Sequence, residues 1–243
     1  MEAESAAGNS AVTIAQSPTL TVRNADQSDS SAIADLLARA FPSLYLSTFG
    51  RMGHAAIVSL LRLLYDAGHL SLEDTRVAEI EGCLIGVMIL HKGLSIGRGS
   101  LLGYWRLVSS QYGFFRALRI FLGGYLANLM LDQRIPRSSD LVYIEALAVL
   151  IEHRGKGVGS RLLADAEECA IAAGRSRLAL HVLVTNKRAR KLYERVGFRL
   201  WNRGRREPRT SESTSAWAAV LMVRRLPNAP AHSAHTNQAM SEL

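Results

Sequence analysis

Strand-like and helix-like hydrophobic patterns alternate through most of the chain, and this alternation limits the possible folds more than any other sequence feature. Alternating apolar residues or short apolar runs predict strands at residues 20–22, 75–81, 83–90, 141–150, 178–182, 198–201 and 216–223. Apolar residues at helical spacing predict helices at residues 33–41, 57–64, 101–110, 114–131, 162–173 and 186–196. Interleaved strands and helices indicate a mixed α/β domain.

The two ends of the chain lack such a pattern. Residues 1–18 are small or polar, and residues 227–243 show no hydrophobic periodicity. Neither end carries enough apolar surface to offset the entropy lost on ordering, so both are predicted to be disordered tails. Residues 19–226 are expected to form one domain, and a hydrophobic content of 48% over the 243 residues is sufficient for a buried core.

The sequence lacks a convincing export signal. The uncharged stretch of residues 5–22 is rich in Ser, Ala, Thr and Gly, and it follows Glu2 and Glu4 where a signal would carry basic residues. We therefore expect a cytoplasmic protein in which Cys83 and Cys169 are free thiols. Two cysteines exclude a disulfide framework and a four-cysteine metal site, and no spacing of His, Cys, Asp or Glu predicts a metal site of another kind.

The chain is strongly basic, with a formal net charge of +8 and an isoelectric point of about 9.9. An anionic partner must therefore be considered, and nucleic acid, a membrane surface and a phosphorylated cofactor all satisfy the charge alone.

A glycine-rich turn, Arg-Gly-Lys-Gly-Val-Gly at residues 154–159, lies between a predicted strand and a predicted helix. Glycines at alternating positions allow the backbone to turn tightly and to approach a ligand. The unpaired N–H groups and the positive dipole end of the following helix point into such a turn, which is an arrangement that binds phosphate. Arg154 and Lys156 add positive charge.

Two better-known phosphate loops fit this turn poorly. A dinucleotide-binding fingerprint would require Gly at the position of Ser160. A nucleotide P-loop would require Ser or Thr directly after Lys156, where Gly157 stands. A turn of this kind can also be purely structural, so the residues around it have to decide its function.

The patterns around the turn resemble the GNAT superfamily of N-acetyltransferases. The resemblance is close over residues 141–200, whereas residues 20–90 match only in the order of elements. Two features depart from the family pattern: Leu150-Ile151 replaces a common Pro before the turn, and residues 92–140 replace a tight hairpin. The matching patterns are Leu147-Ala148-Val149, Arg154 to Gly159, Leu178-x-Leu180-x-Val182 and Asn186-x-x-Ala189-x-x-Leu192-Tyr193-x-x-x-Gly197-Phe198.

This resemblance implies one mixed, mostly antiparallel central sheet that is flanked by helices and splayed between strands four and five. It also implies acetyl-CoA as co-substrate and direct transfer of the acetyl group to an amine. The resemblance implies that the pantetheine arm lies along Leu147, Ala148 and Val149 and that the amide of Leu147 polarises the thioester carbonyl. It also implies that Asn186 contacts the cofactor arm. The turn residues implied for the pyrophosphate are Arg154, Gly155, Lys156, Gly157, Val158 and Gly159.

Two residues are implied as catalytic. Tyr193 would protonate the leaving thiolate, although packing at i, i+4 from Ala189 would explain the same residue. Glu145 would be the general base, because it alternates with Tyr143, Leu147 and the other cofactor-lining positions of one strand. A structural ion pair, or a water chain in the place of a side-chain base, would be the alternatives. His181 and Cys169 are expected to be structural residues.

The insertion of residues 92–140 is predicted to be helical. Its residues 92–131 contain no Asp or Glu. Our hypothesis is that the insertion borders the acceptor entrance, since it enters the strand end that faces away from the cofactor phosphates. A dimer interface or an added helical layer is the alternative. Membrane-surface binding is not expected, because glycines would break both helices.

The leading functional prediction is an N-acetyltransferase whose acceptor is an amine of a small molecule or peptide. A catalytically silent CoA-binding module with the same fold is the alternative. Nucleic-acid binding is not expected, because the arginine cluster Arg203, Arg205, Arg206 and Arg209 has no interleaved aromatic residues. A homodimer is compatible with the sequence.

Overall fold

The computed structural model describes residues 19–42, 45, 52–91, 101–130, 139–201 and 219–227. The predicted tails at 1–18 and 227–243 lie outside these residues apart from Pro227, as does the arginine cluster of the last hairpin. The domain limits therefore stay a prediction.

A seven-stranded sheet forms the centre of the molecule, with the strand order β1-β2-β3-β4-β5-β7-β6. Among the strands that the structure describes, the β4–β5 pair alone is parallel, and every other neighbouring pair is antiparallel. The predicted fold, a mixed and mostly antiparallel sheet flanked by helices, is confirmed. The strands are β1 (Leu20–Asn24), β2 (Thr75–Ile80), β3 (Cys83–His91), β4 (Leu141–Val149), β5 (Arg177–Leu183), β6 (Arg199–Leu200) and β7 (Ala219–Arg225).

Helices cover both faces of the sheet. On one face, apolar residues of α5 and α6 pack with Met88, Leu90 and Val142 into a buried cluster. On the other face, α1 to α4 pack over Val77 and Val87 into a second cluster. The helices are α1 (Ser30–Ala40), α2 (His54–Asp66), α3 (Leu101–Tyr112), α4 (Phe114–Met130), α5 (Val158–Ala172) and α6 (Lys187–Arg195).

The inserted helices α3 and α4 form an added layer against α1 and α2. Val108 of α3 and the buried residues Ala117 and Ile120 of α4 enter the second cluster. Gly113, with a φ of 78°, separates the two helices. Gly123, which we expected to break a helix, lies inside α4, because the packing of this face holds the helix across it.

Strand β4 is irregular at the point that matters for the site. It pairs with β5 only from Leu141 to Ile144, so the two strands separate beyond the Ile144–Leu180 pair. On its other side, Ile144 pairs with Leu90 and Ala146 with Ile89, which leaves Glu145 as an extra, bulged residue. The predicted splay between strands four and five is therefore present.

The bulge corrects the strand-face argument for Glu145. Strict alternation would place Tyr143, Glu145 and Leu147 on one face of β4. Instead, Tyr143 packs with Leu141 and Ala179, whereas Leu147 packs on the opposite face against the cluster under α5. An extra residue in a strand shifts the alternation of its side chains by one position. Side chains after the bulge in β4 therefore lie on the opposite face from the one that strict alternation predicts.

Candidate active site

The separation of β4 and β5 opens a cleft of about 750 Å³. Glu145 and His181 stand at its vertex, directly beyond the last paired residues of the two strands. Ala40 at the end of α1 and the following residues Phe41 and Pro42 border it as well, and α6 supplies the wall opposite β4. Of the residues predicted for the site, all but Lys156 and Val158 line this cleft.

The part of β4 beyond the bulge offers backbone groups to the cleft. The N–H of Leu150 donates to the carbonyl of Ile85 at 2.9 Å and so points toward β3. Backbone groups of successive strand residues point to opposite sides, which turns the amides of Leu147 and Val149 toward the gap. Ala148 lines the cleft, but the same alternation directs its backbone groups to β3, where Val87 is its partner.

The glycine-rich turn closes one end of the cleft. Two of its glycines are required by the backbone conformation and the third by close packing. Gly155 and Gly157 have φ values of 85° and 88°, which lie in the left-handed region that other residues rarely adopt. Gly159 lies inside α5, and a Cβ there would approach Cδ2 of Leu192 to 3.1 Å. Gly159 therefore permits α5 and α6 to pack closely, whereas the first two glycines shape the turn.

Arg154 is held in place by the strand it follows. Its Nε donates to the carbonyl oxygen of Val149 at 2.9 Å, and its side chain lines the cleft. Lys156 is exposed, Val158 is buried at the start of α5, and neither residue lines the cleft. The N-terminus of α5 begins at Val158, and its free N–H groups favour an anion here.

The first turn of α6 supplies cationic residues that the sequence reading missed. Arg188 lines the cleft, and its Nη2 lies 3.4 Å from the position of a Cβ on Gly155. Lys187 precedes it at the start of the helix. Cations are unfavourable near a helix N-terminus because of the helix dipole. Two consecutive cations after the Asn186 cap were therefore a readable signal for an anionic ligand.

Asn186 and His153 complete this end of the cleft. The side-chain oxygen of Asn186 accepts from the N–H of Ala189 at 3.1 Å, as a cap of α6 should. The side-chain NH₂ of Asn186 does not take part in this cap and can donate to a ligand. The Nδ1 atom of His153 is buried and has no hydrogen-bond partner within the described parts of the chain. A bound polar group could satisfy this atom, which fits a ligand rich in oxygen atoms.

Tyr193 lies in the wall of the cleft formed by α6. Its ring packs against Phe198, with 5.9 Å between ring centroids, and the residue is buried. Burial raises the pKa of Tyr193 to about 12. The phenol therefore stays protonated at neutral pH and can act as a hydrogen-bond donor or a proton donor.

Glu145 makes its closest contact with a residue that the sequence reading did not select. Nε2 of His91, at the end of β3, contacts Oε2 of Glu145. This hydrogen bond raises the pKa of His91, against the opposing effect of its burial. About half of the Glu145 side chain remains exposed, at 51%, so the carboxylate is accessible from the cleft.

The negative charge of Glu145 acts on three phenols, those of Tyr45, Tyr65 and Tyr143. Burial raises the pKa values of Tyr45 and Tyr65, and the negative charge of Glu145 raises both further. The hydroxyl of Tyr143 and Nδ1 of His181 share a hydrogen bond of 3.0 Å, and His181 also lines the cleft, so its structural role stays a prediction. Among the described residues, the vertex of the cleft therefore holds the accessible carboxylate of Glu145 in contact with His91, whose pKa is raised, and near phenols that stay protonated.

Cys169 is remote from this chemistry. It packs beside the core cluster under α5, and its Sγ lies 3.9 Å from Oδ2 of Asp165. Within the described residues, no group of His, Cys, Asp and Glu is arranged to hold a metal ion.

The sequence profile of the acetyltransferase (GNAT) family matches residues 32–198. This range covers more than half of the chain and includes every residue that we placed in the cleft. The chain belongs to the GNAT acetyltransferase family.

Sequence relatives of this GNAT chain are similar over short segments. Bovine thialysine N-epsilon-acetyltransferase is 43% identical over 56 residues, which is 23% of this chain and 33% of the relative. The uncharacterized N-acetyltransferase YycN of Bacillus subtilis is 46% identical over 46 residues, or 19% and 30% of the two chains. The GNAT chain thus spans about a third of the length of the curated relatives it matches.

Solved structures share the fold over most of the chain. An N-acetyltransferase from Staphylococcus aureus Mu50 superposes with a TM-score of 0.54 at 17% identity, and the match covers 85% of this chain and 100% of that one. A second acetyltransferase crystal structure gives a TM-score of 0.54 at 22% identity, over 85% and 99% of the two chains.

Proposed function

We propose that this GNAT chain is an N-acetyltransferase that moves the acetyl group of acetyl-CoA directly to a primary amine of a small molecule or peptide. One observation carries the proposal: a single cleft joins an anion-binding turn, inward-facing strand amides, the protonated phenol of Tyr193 and the accessible carboxylate of Glu145. Bound acetyl-CoA supplies an activated thioester carbonyl at one end of this cleft.

The turn and α6 are suited to hold the cofactor's phosphates. Backbone N–H groups of residues 154–159 and the N-terminus of α5 favour negative charge, and Arg154 and Arg188 add cations. The strand segment Leu147, Ala148 and Val149 is suited to the pantetheine arm, with the inward amides of Leu147 and Val149 as donors. The Leu147 amide is our candidate for the donor that polarises the thioester carbonyl.

Two side chains are assigned the proton transfers. The protonated amine first gives a proton to the carboxylate of Glu145, directly or through water, which frees the lone pair of the nitrogen. The nitrogen then attacks the carbonyl carbon, and its second proton leaves to solvent as the amide forms. As the carbon–sulfur bond breaks, the hydroxyl of Tyr193 donates a proton to the sulfur. His91 is assigned a positioning role, because its contact fixes the orientation of the Glu145 carboxylate.

The charge at the vertex supports an amine acceptor. Amines arrive protonated at neutral pH, and the half-exposed Glu145 carboxylate attracts a cation. Neither Cys83 nor Cys169 is among the described residues that line the cleft, which supports direct transfer instead of an acyl-enzyme on sulfur. The name of the bovine relative describes acetylation of an amine, which agrees with this acceptor class.

The test is an acceptor screen with matched variants. Acetyl-CoA is incubated with the full chain and a panel of amines and peptides, and release of free thiol is followed. We expect turnover with at least one amine, and Tyr193→Phe should lower kcat by about 100-fold. Tyr104→Phe is the control, because it removes a hydroxyl from a partly buried tyrosine that does not line the cleft.

Two results would contradict the proposal. Full turnover by Tyr193→Phe would remove the proton-donor role. Tight acetyl-CoA binding without thiol release for any acceptor would indicate the catalytically silent CoA-binding module.

A further inference from the structure

The outward side of α4 is apolar although it is exposed to solvent. Phe115 is 84% exposed, and Leu118 and Leu122 are about half exposed. Their spacing of three and four residues places them on one side of the helix. Ala117 and Ile120 lie on the opposite side and are buried against α1 and α2. Surface helices normally turn polar residues outward, so α4 carries a second apolar face, the α4 outer face (Phe115, Leu118 and Leu122).

The flank of the α4 outer face is cationic. Arg116 and Arg119 of α4 and Arg106 of α3 are exposed. No ion pair to any of the three is formed within the described parts of the chain. Residues 92–131 contain no Asp or Glu, and Lys92 and Arg98 are two further cations in this stretch. The charge of this region is therefore purely positive.

Aromatic side chains hold the two helices of this region together. Trp105 contacts Phe114 and Phe121 with ring centroids 5.5 Å and 5.1 Å apart, and the two contacts are edge-to-face. Aromatic packing between α3 and α4 therefore holds α4 in place, and with it the exposed residues of the α4 outer face.

We propose that the α4 outer face binds the surface of an anionic lipid bilayer. An interfacial helix combines large apolar side chains with Lys and Arg, because the apolar residues enter the boundary of the acyl chains while the cations contact anionic headgroups. This is the composition found here. The mode of binding is attachment to the surface, since no helix among the described residues is long and apolar enough to cross a membrane.

Two other occupants fit the α4 outer face less well. A second copy of the chain across a two-fold axis would bring Arg116 and Arg119 toward the same cations of the first copy, with no carboxylate in residues 92–131 to offset them. Nucleic acid would satisfy the arginines but would leave Leu118 and Leu122 without apolar partners. A bilayer satisfies both the charge and the apolar surface.

Attachment would leave the cleft open, because none of residues 102–123 contributes to its lining. Membrane binding and acetyl transfer are therefore separable, and failure of one would not decide the other.

The experiment is vesicle co-sedimentation with the full chain. Neutral phosphatidylcholine vesicles are compared with vesicles that contain about 30% phosphatidylglycerol, an anionic lipid. We expect binding to the anionic vesicles to be at least tenfold tighter and to weaken with added salt. Phe115→Ser/Leu118→Ser should lower it by about tenfold or more. Arg116→Gln/Arg119→Gln should lower it similarly, since each cation near an anionic leaflet strengthens binding by about fivefold.

The control is Ile171→Ser, which removes an exposed apolar residue from α5 on the other face of the sheet. It should bind vesicles as the unaltered chain does. Circular dichroism and acetyl-CoA binding should be unchanged in all variants, because the altered residues are exposed. Equal binding to neutral and anionic vesicles, or full binding by Phe115→Ser/Leu118→Ser, would overturn the proposal. The proposal would also be overturned if the unaltered chain did not bind vesicles but formed a dimer, and if Phe115→Ser/Leu118→Ser abolished that dimer.

Discussion

The two ends of the cleft are built in different ways. The turn end is made mainly of backbone groups from one continuous segment, in which residues 147–159 supply strand amides, the turn and the start of α5. The vertex end is made of side chains from separate elements, because Glu145 on β4 and His181 on β5 line it and His91 on β3 contacts Glu145. Residues far apart in the chain meet there only because the sheet brings them together.

The difference teaches which changes each end can tolerate. A backbone donor is retained when its side chain changes, provided that the backbone conformation is allowed. A side-chain carboxylate is lost when one residue is replaced. We therefore expect the turn end to be sensitive to conformation at Gly155 and Gly157 and insensitive to the side chain at Lys156. The vertex end should be sensitive to the chemical identity of Glu145.

The largest expected effect belongs to the vertex. Glu145→Gln keeps the shape of the side chain but removes the negative charge and the proton acceptor. We expect kcat/KM for the amine to fall by about 100- to 1,000-fold, in the range of a lost general base. The dissociation constant for acetyl-CoA should stay within about threefold, because the phosphate-binding turn is untouched. Steady-state kinetics and calorimetry separate the two quantities.

The matched control for this change is Glu168→Gln. Glu168 is an exposed residue of α5 that contacts Arg161 at 3.4 Å and lies outside the cleft. It should leave both kinetics and binding unchanged. Turnover of Glu145→Gln at the rate of the unaltered enzyme would assign the base to another group, such as a water chain.

The turn end provides the next largest effect. Gly157→Ala forces a Cβ into the left-handed region at a φ of 88°, which costs about 1–2 kcal/mol and opposes the turn. We expect acetyl-CoA affinity to fall by at least tenfold. Gly174→Ala is the control, because Gly174 has a φ of 65°, and neither glycine has an atom within 4 Å of the added Cβ. The two variants should lose similar stability in urea unfolding, and only Gly157→Ala should lose cofactor affinity. Equal affinity in both would separate the turn from cofactor binding.

The same contrast explains how far the sequence could predict the structure. The segment from β4 to α6 was readable, because the glycines, the Asn186 cap and the Tyr193 position are local patterns with fixed spacing. The mixed sheet and its splay came from the family resemblance that those patterns carry. The contact of His91 with Glu145 was not readable, because it joins residues 54 positions apart through the β3–β4 register.

The bulge was equally hidden. Strand alternation placed Glu145 correctly at the cleft but for an incorrect reason, since Tyr143 and Leu147 lie on opposite faces. A bulge adds a residue without changing the hydrophobic character of a strand, so a period of two cannot detect it. The prediction that glycines would break the helices of the insertion was wrong for a related reason. Tertiary packing can stabilise a helix that contains a residue of low helix propensity, such as Gly123 in α4.

A smaller effect tests the cationic side of the turn end. Arg188→Gln removes a charge beside the turn, and we expect acetyl-CoA affinity to fall by about three- to tenfold. The loss should shrink at high salt, because added ions screen the same interaction. Lys191→Gln, on the same helix but outside the cleft lining, should have no such effect. A decrease that does not depend on salt would indicate lost packing instead of lost charge.

The smallest effect concerns the pH dependence of stability at the vertex. The hydrogen bond to Glu145 raises the folded-state pKa of His91 above its unfolded value of about 6.5. A raised histidine pKa means that folding takes up a proton, so the stabilisation is complete below about pH 6.5 and is lost as pH rises through the folded pKa. The Tm difference between the unaltered chain and Glu145→Gln should therefore be largest near pH 6 and decline toward pH 9. Glu168→Gln, which has no histidine partner, should show a Tm difference that is flat over this range. A flat difference for Glu145→Gln as well would mean that the His91 contact carries no charge in solution, and the vertex would then hold the carboxylate without a cationic partner.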